Sequence, residues 1–319
     1  MRSLLIINPI SGTSSKDHVA ATVTRALGAA GMRLDIAFTR GPGHATELAA
    51  DAVAAGYDRV IAAGGDGTVN EIARSLVGSD TVMGILPLGS GNGLARHLEI
   101  PTSLRAALRV ITDGNVVTCD HCTVNGRPFF CTFGMGFDAA VSDRYASRPD
   151  RRGLANYVKS AISEFINYKS DTYTICADGV ELTRRAFIVA CCNASQYGNN
   201  TFIAPKASIS DGLMDVTVVH AGSWLGTMLT GMEIMAGGLH EGARVHTLRA
   251  RKVTISRSTP GSAHIDGEPL KLPVKLEVEC HPGTLKVLSP GEMKIRPLLT
   301  PARCAARGIS HSIADIFRK

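Results

Sequence analysis

The sequence predicts two domains, an α/β domain with a parallel, doubly wound sheet followed by a mainly antiparallel β domain. Three observations support this. Strands and helices alternate in the first half, glycine-rich loops follow several of those strands, and short β runs dominate after about Asp120. Alternation is typical of a parallel sheet, because parallel neighbours need a crossover connection. With 319 residues, the chain is long enough to form two cores.

Four short apolar runs in the first half predict buried strands. They are Leu4 to Ile7, Arg33 to Phe38, Val60 to Ala63 and Val82 to Leu86. Helices are predicted from about Asp17 to Ala30, from about His44 to Ala55, and after the loops that follow the last two strands. Gly31 and Gly56 end the first two helices, because glycine readily adopts the left-handed conformation there. This arrangement is Rossmann-like, and its ligands bind beyond the carboxyl ends of the strands.

Short β runs separated by turn residues predict that the second domain is an antiparallel β-sandwich. The runs are Phe129 to Phe133, Tyr173 to Ala177, Ala186 to Cys192, Met214 to Val219, Lys252 to Ser256 and Val274 to Glu279. Helical segments interrupt them near Leu154 to Asn167 and Trp224 to Ala236. The first domain is therefore predicted to span residues 1–122, with completion at about 290–300. The sandwich is predicted to span 123–289, and the C-terminal tail 301–319.

The composition is typical of a soluble globular protein, and the apolar runs lead us to expect that it is cytoplasmic. Hydrophobic residues make up 45% of the chain and charged residues 19%, which excludes disordered and fibrous classes. No apolar run reaches the about 20 residues of a membrane-spanning helix, and the one at the N-terminus is too short for a signal peptide. Eight cysteines show no disulfide framework. Cys119 and Cys122 form a C-x-x-C in a β-like run, so we expect them to be structural.

The C-terminus is basic. From Pro290 to Lys319, six basic and two acidic residues give +4 of the net charge of +6, and Ile309, Ile313 and Ile316 fall at near-helical spacing. A basic amphipathic tail is attracted to anionic membranes, so peripheral contact with the inner membrane face is expected. A helix packed on the protein itself is the alternative. Nucleic-acid binding is not expected, because no basic-aromatic stripe occurs. The sequence leaves open whether the protein is a homodimer.

The segment GGDGTVNE, from Gly64 to Glu71, follows a buried strand and is suited to phosphate. Its glycines let backbone amides approach an anion, and the next helix directs its positive end toward the same point. Asp66 would repel a bare phosphate, so we expect a cation between Asp66 and a nucleotide. A tight turn without a ligand is the alternative. Loops at Asn8, Thr39 and Gly89 follow strands at the same predicted edge, which favours a ligand site.

Several motifs, in this order, resemble the diacylglycerol kinase catalytic family, which includes bacterial lipid kinases and eukaryotic sphingosine and ceramide kinases. They are NPISG at 8–12, GGDGTVNE at 64–71, PLGSGNGLARHL at 87–98, FGMGFDA at 133–139, APKASISDGLMDV at 204–216 and HIDGEP at 264–269. The resemblance covers roughly residues 1–290. It implies a two-domain kinase that binds ATP and a catalytic Mg²⁺ in the cleft between its domains.

The resemblance also implies which residues contact the nucleotide. They are Asn8, Pro9, Ile10, Ser11, Gly12, Thr39, Gly64, Gly65, Asp66, Gly67, Thr68, Val69, Asn70, Glu71 and Ser90. Hydroxyls and backbone amides in this set suit phosphate oxygens, and Asp66 is expected to hold the magnesium.

Two further positions are implied in the second domain. Glu268 is the expected proton acceptor, with Asp266 supporting it or joining the metal. In extended chain their side chains would face the same way, and a solvated hairpin turn is the alternative. A second, structural Mg²⁺ is expected on the Asp211 carboxylate and the carbonyls of Ser208 and Leu213. There, an Asp-Gly turn that caps a strand is the alternative.

The predicted function is therefore ATP-dependent phosphorylation of a lipid hydroxyl, most simply diacylglycerol to phosphatidic acid. The alternatives are a sphingoid-base or ceramide kinase, an NAD kinase, and an inactive lipid- or nucleotide-binding module. In sphingosine kinases an acidic residue tends to lie two positions beyond Asp138, where this chain has Ala140, which disfavours a sphingoid base. The segment after Thr68 together with PLGSGNG resembles lipid kinases better than NAD kinases. The carboxylates of Asp66, Asp266 and Glu268 argue against a binding module.

Overall fold

The protein forms two compact units in a computed structural model that describes residues 1–12, 15–147, 168–199 and 201–291. Among the described residues, the first unit comprises Met1–His121, Ile209–Gly212 and 281–291, and the second comprises Cys122–Ser208 and Leu213–Cys280. No helix in these described ranges is long and apolar enough to cross a membrane.

The first unit is built on a parallel sheet. Its strands are β1 (Arg2–Ile7), β2 (Arg33–Phe38), β3 (Arg59–Gly64) and β4 (Val82–Pro87). Their order is β4-β3-β1-β2, and all pairs are parallel. β1, β3 and β4 are buried along most of their length, as expected for strands covered on both faces, whereas the edge strand β2 is largely exposed. The predicted α/β class is confirmed.

Helices cover both faces of this sheet. They are α1 (Lys16–Ala29), α2 (His44–Ala54), α3 (Asp66–Leu76), α4 (Gly93–His97) and α5 (Leu104–Asp113). Right-handed crossovers put α1 on one face and α2 and α3 on the other, because the chain passes from β2 back across β1 to β3. α2 packs on α3, and α1 packs on α5. In α1, Val19, Val23 and Leu27 form the buried stripe at a spacing of four.

The strand order reverses at β1, which has β2 on one side and β3 on the other. At such a switch point the loops beyond the carboxyl ends diverge and leave room for a ligand. The loops that follow β1 and β3 are neighbours here, since the Asn8 amide donates to the Ala63 carbonyl oxygen at 3.0 Å. The fold therefore brings the predicted nucleotide loops to one edge.

The second unit is mainly antiparallel. Its strands, two of which are shared with the first unit, are β5 (Asn115–Val124), β6 (Arg127–Phe129), β7 (Thr132–Gly136), β8 (Asp171–Ala177), β9 (Val180–Cys192), β10 (Met214–His220), β11 (Val245–Ala250), β12 (Lys252–Arg257), β13 (Gly261–Ile265), β14 (Glu268–Leu272) and β15 (Lys275–Ser289). The path of paired strands is β14-β13-β7-β9-β8-β12-β15, and β10 pairs with β9 and β11. Helices α6 (Phe137–Ala146) and α7 (Trp224–Ala236) complete the unit.

Side chains in the second unit alternate between core and surface with period two. Tyr173, Ile175 and Ala177 of β8 enter one buried cluster with Leu276 and Val278 of β15. This alternation is typical of strands that bury one face, and the predicted antiparallel β-sandwich is confirmed.

Some boundaries differ from the sequence prediction. Residues 209–212 and 281–289, predicted in the second domain, belong to the first unit. β15 explains the latter range, because it pairs with β12 at its start, whereas Val287 near its end pairs in parallel with Met83 of β4. The sequence did not predict α5, α6, β11, β13 or β14, and the single run predicted from Phe129 to Phe133 is divided between β6 and β7. The helical segment predicted near 154–167 and the tail 301–319 lie outside the described residues.

The C-x-x-C lies on a strand, as predicted. Cys119 and Cys122 are on β5 and fully buried. Burial, with a smaller contribution from the Asp120 charge, raises the pKa of the Cys119 thiol to about 12. The thiol therefore stays protonated at neutral pH, as expected of a structural cysteine.

Candidate functional site

Four loops lie at the carboxyl edge of the parallel sheet in the first unit. Asn8 follows β1, Thr39 follows β2, and the Asn8 side chain donates to the Thr68 hydroxyl at 2.9 Å. The Thr39 amide donates to the Ile7 carbonyl oxygen at 2.9 Å. The loops after β1, β2 and β3 are thus tied together, and the fold brings together residues that lie 60 positions apart in the chain.

Glycine allows two of these loops to approach closely. Gly12 has a φ of +65°, and a Cβ there would lie 2.2 Å from the Leu88 carbonyl oxygen, which follows β4. A Cβ on Gly89 would lie 2.6 Å from the Cα of Gly65. No side chain fits at either position, so these glycines keep backbone amides at the edge, where they can bind an anion.

Asp66 lies at the start of α3, where its carboxylate is half-buried and oriented by backbone amides. One oxygen accepts a hydrogen bond from the Asn92 amide at 2.8 Å and the other from the Gly93 amide at 2.6 Å. Asn92 in turn holds the loop after β4, because its side chain accepts from the Gly89 amide and donates to the Gly89 carbonyl oxygen. Asp66 therefore connects the loop after β3 to the loop after β4.

Glu71, also on α3, binds the start of α2. Its two carboxylate oxygens accept from the amides of Gly43 and Ala45, at 2.9 and 3.1 Å. A carboxylate at a helix N-terminus is stabilising, because it satisfies unpaired amides and the positive end of the helix dipole. This contact shapes the loop that carries Thr39.

The other predicted nucleotide residues differ in exposure. Among the described residues of this set, Ile10 and Ser90 are exposed, whereas Thr39, Thr68, Val69 and Asn70 are buried. Two cations that the sequence did not single out contact these loops: Lys16 Nζ donates to the Ser11 carbonyl oxygen, and Arg96 Nε donates to the Gly91 carbonyl oxygen at 3.0 Å. Their positive charge suits a phosphate ligand.

In the second unit, the expectation of extended chain at Asp266 is wrong. Ile265 pairs with Glu268 across a two-residue hairpin, and both turn residues have positive φ, 49° at Asp266 and 87° at Gly267. Asp-Gly favours this turn, because both residues tolerate the left-handed region. The side chains of Asp266 and Glu268 are therefore not related by the alternation of a strand.

Asp266 and Glu268 have different surroundings. The Asp266 carboxylate accepts three backbone amides, from Phe130 at 2.9 Å, Cys131 at 2.8 Å and Thr132 at 2.9 Å. It thereby fixes the turn to the segment between β6 and β7. Glu268, the first residue of β14, is exposed. Their assigned roles in catalysis stay predictions.

A buried polar cluster lies beside this hairpin and was not predicted. One Asp138 oxygen is 3.1 Å from His264 Nε2 and accepts from the Tyr197 hydroxyl at 2.7 Å, and the other accepts from the Ala139 amide. Asp138 is 6% exposed and His264 2%. Both lie within motifs singled out in the sequence, FGMGFDA and HIDGEP, and this membership was the available signal. The cluster ties α6 to β13.

A second acidic group lies in the first unit. Asp120 is buried and accepts from the amides of Gly212 and Gly283, both at 2.7 Å. Burial raises the pKa of Asp120, and the charge of Asp211 raises it further, although the amide hydrogen bonds oppose the shift. A divalent cation would relieve the repulsion between these carboxylates. The structural ion on Asp211 stays a prediction, and Asp120 is a neighbouring carboxylate that the sequence did not single out.

Next to Asp120, His121 stacks on His281 with ring centroids 4.8 Å apart. Burial, and then the neighbouring His281, lowers the pKa of His121 from 6.5 to about 4. The unfolded chain binds a proton on His121 more readily than the folded chain does, so protonation of His121 favours unfolding. Neutral His121 therefore makes its full contribution to the free energy of unfolding above pH 6.5, and this contribution is lost as the pH falls toward 4.

We expect this titration to be measurable. Between pH 6.5 and 4 it should lower the free energy of unfolding by roughly 2 kcal/mol, a value discounted for solvent screening. Urea unfolding at both pH values tests this, and His121→Gln should remove that share of the pH dependence. His18→Gln, on an exposed position of α1, is the control and should leave the dependence as in the wild type. Equal pH dependence in all three proteins would contradict the assignment.

Comparison with family models gives two matches that together span most of the chain. Residues 2–124 match the diacylglycerol kinase catalytic domain. Residues 131–289 match the YegS C-terminal NAD kinase beta sandwich-like domain. The two matches follow the order of the two units along the chain.

Individual proteins show the same likeness. The chain is 30% identical over 294 residues to a diacylglycerol kinase of Mycobacterium tuberculosis, covering 89% of this chain and 94% of the relative. A crystal structure of a diacylglycerol kinase from Bacillus anthracis superposes with a TM-score of 0.73 at 21% identity, covering 90% and 96%. An NAD kinase from Archaeoglobus fulgidus in complex with ATP superposes with a TM-score of 0.52 at 12% identity, covering 92% and 95%. At these identities the two structures show a shared fold alone.

Proposed function

We propose, from the premise that this chain belongs to the diacylglycerol kinase catalytic-domain family, that it phosphorylates a lipid hydroxyl with ATP. Diacylglycerol is the proposed acceptor and phosphatidic acid the product. The observation that carries the proposal is the edge of the parallel sheet, where Asn8, Asp66 and Thr68 hold three strand-to-helix loops together. Backbone amides and hydroxyls at a switch point suit the phosphates of a nucleoside triphosphate, and one oriented carboxylate suits the metal ion that accompanies it.

In the proposed reaction, the acceptor hydroxyl oxygen attacks the γ-phosphorus. The bond between that phosphorus and the β–γ bridging oxygen breaks, and ADP leaves with the electron pair. The hydroxyl proton passes to the Glu268 carboxylate, which is the proposed general base. Asp266 has a supporting role, because its three amide contacts hold the turn that precedes Glu268. The loop amides and Lys16 stabilise charge on the phosphates.

The residues present fit magnesium. In phosphoryl-transfer sites Mg²⁺ takes one or two carboxylates and completes its shell with phosphates and waters. Asp66 supplies one carboxylate, held in place by two amides. When bound, the ion would neutralise phosphate charge. A second ion on Asp211, Ser208 and Leu213 is proposed for the structural site.

The environment of Asp138 supports a neutral lipid over a sphingoid base. A substrate amine would need a carboxylate within reach, and Asp138 is buried and engaged by His264 and Tyr197. Ala140 supplies no charge. An NAD kinase is the second candidate, because it shares the fold at low identity. Peripheral contact with a membrane belongs to the same proposal, since the acceptor resides in a bilayer.

The test is mass-spectrometric detection of phosphorylated product from the purified protein with ATP and Mg²⁺. Diacylglycerol, monoacylglycerol, a sphingoid base, ceramide and NAD would each be offered, the lipids in detergent micelles. Phosphatidic acid that is absent with Asp66→Ala is the expected result. Product from NAD alone would replace the lipid assignment and retain the nucleotide site. No product from any acceptor would overturn the proposal.

A further inference from the structure

One face of α7 is apolar and exposed. Leu225, Met228, Leu229, Met232 and Met235 are between 40% and 65% exposed. At 100° per residue they fall within about 120° of the helix circumference. The opposite side is buried: Thr230 is 1% exposed, and Ile234, at 7%, belongs to a core cluster of the second unit. The helix is thus anchored by one side and presents the other to solvent.

This face is uncharged. The only ionisable side chain on α7 is Glu233, and Arg244 neutralises it through a contact of 2.6 Å. Ser223 caps the helix start by accepting from the Gly226 amide, and Gly237 ends the helix in the left-handed conformation. Its ends are therefore satisfied, and the apolar face is a property of an ordered helix.

Positive charge lies near the start of the helix. Arg184 and Arg185 on β9 are exposed, and no acidic side chain pairs with either in the described part of the chain. The Arg185 carbonyl oxygen accepts from the amide of Ala221, which lies three residues before Trp224. Burial lowers the pKa of His220, and the charge of Arg184 lowers it further. Two exposed cations therefore lie close to the segment that leads into the start of α7.

We infer that α7 is a membrane-docking helix, with its apolar face in the acyl region and the two arginines on anionic headgroups. The inference deepens the proposed function, on which it rests, by naming the surface that reaches the bilayer. Met is unbranched and flexible, which suits contact with fluid acyl chains. An uncharged apolar stripe next to cations is the pattern of helices that lie in the membrane interface.

A second copy of the chain fits this face less well. A helix of 13 residues is about 20 Å long and 10 Å wide, so one face offers roughly 200 Å². Stable protein interfaces bury about 800 Å² per partner.

The test is co-sedimentation of the full chain with vesicles, without nucleotide or acceptor, so that binding is measured independently of kinase activity. Vesicles of phosphatidylcholine alone and of equimolar phosphatidylcholine and phosphatidylglycerol are compared. The triple variant Met228→Gln, Met232→Gln, Met235→Gln should bind the mixed vesicles at least about tenfold more weakly. Gln keeps side-chain length and helix propensity, and circular dichroism checks the fold.

Two further variants assign the effect. Arg184→Gln with Arg185→Gln should lose about tenfold only on the anionic vesicles, because each cation near such a surface adds to binding. Val180→Gln with Val274→Gln changes exposed apolar residues of the second unit outside α7 and should bind as the wild type does. The inference would be overturned if the triple variant bound vesicles as the wild type does, or if the wild type did not bind vesicles.

The face would instead be assigned to a second copy of the chain if the wild type were a dimer without vesicle binding and the triple variant were a monomer. Vesicle binding without lipid phosphorylation would overturn the proposed function and leave the docking helix standing.

Discussion

Asp66→Ala is expected to lower kcat by about 10³-fold or more, the order of loss when a preorganised electrostatic group is removed from a reaction site. Its carboxylate is the only one proposed for the nucleotide-bound metal, and it also holds the loop after β4 through the amides of Asn92 and Gly93. The same substitution should cost about 2 kcal/mol of unfolding free energy, because two amides lose a charged acceptor. Initial rates of product formation and urea unfolding measure the two effects.

A matched control separates these effects. Asp58 also accepts a backbone amide, that of Arg2 at 2.6 Å, but it precedes β3 and so lies at the opposite edge of the parallel sheet. Asp58→Ala should lose some stability and keep kcat near the wild-type value. If Asp66→Ala retained a rate similar to that of Asp58→Ala, Asp66 would have no part in catalysis.

Glu268→Gln is expected to lower kcat by about 10²–10⁴-fold, the usual contribution of a general base. Its stability should match that of the wild type, because Glu268 is exposed and the substitution preserves its shape. Nucleotide binding, measured by calorimetry, should also be unchanged. Glu277→Gln, an exposed glutamate on β15 of the same unit, is the control and should leave kcat unaffected.

Asp266→Asn should give the opposite pattern in stability. One Asp266 oxygen accepts two amides and the other accepts the Phe130 amide, so an amide side chain leaves at least one backbone donor facing another donor. The expected cost is about 2–4 kcal/mol of unfolding free energy, since hydrogen bonds to a charged group are lost. A stable Asp266→Asn protein with no activity would instead give Asp266 a direct role in the reaction. A Glu268→Gln protein with normal kcat would exclude Glu268 as the base.

Much of the fold could be predicted from the sequence. β1, β3 and β4 are continuous apolar runs, a pattern typical of strands that are covered on both faces. Gly31 and Gly56 correctly predicted where α1 and α2 end. The strands β13 and β14 were missed, because five-residue strands with mixed polarity give little periodic signal. At Asp266 the sequence left extended chain and a hairpin turn as alternatives, and the hairpin, which Asp-Gly favours, is the one that forms.

The sequence alone determined the alternation of strands and helices from β1 to β4, the positions of the glycine-rich loops and, through the motifs, the family. Those depend on local chemistry: apolar spacing, glycine at close approaches, and short polar motifs. Only the tertiary structure decided what each side chain contacts. It showed that Asp66 and Glu71 bind amides from distant loops, that Asp138 lies buried against His264, and that the apolar face of α7 has no cover from the described residues. Such contacts join residues far apart in the chain, and their partners are set by packing, which a one-dimensional pattern does not contain.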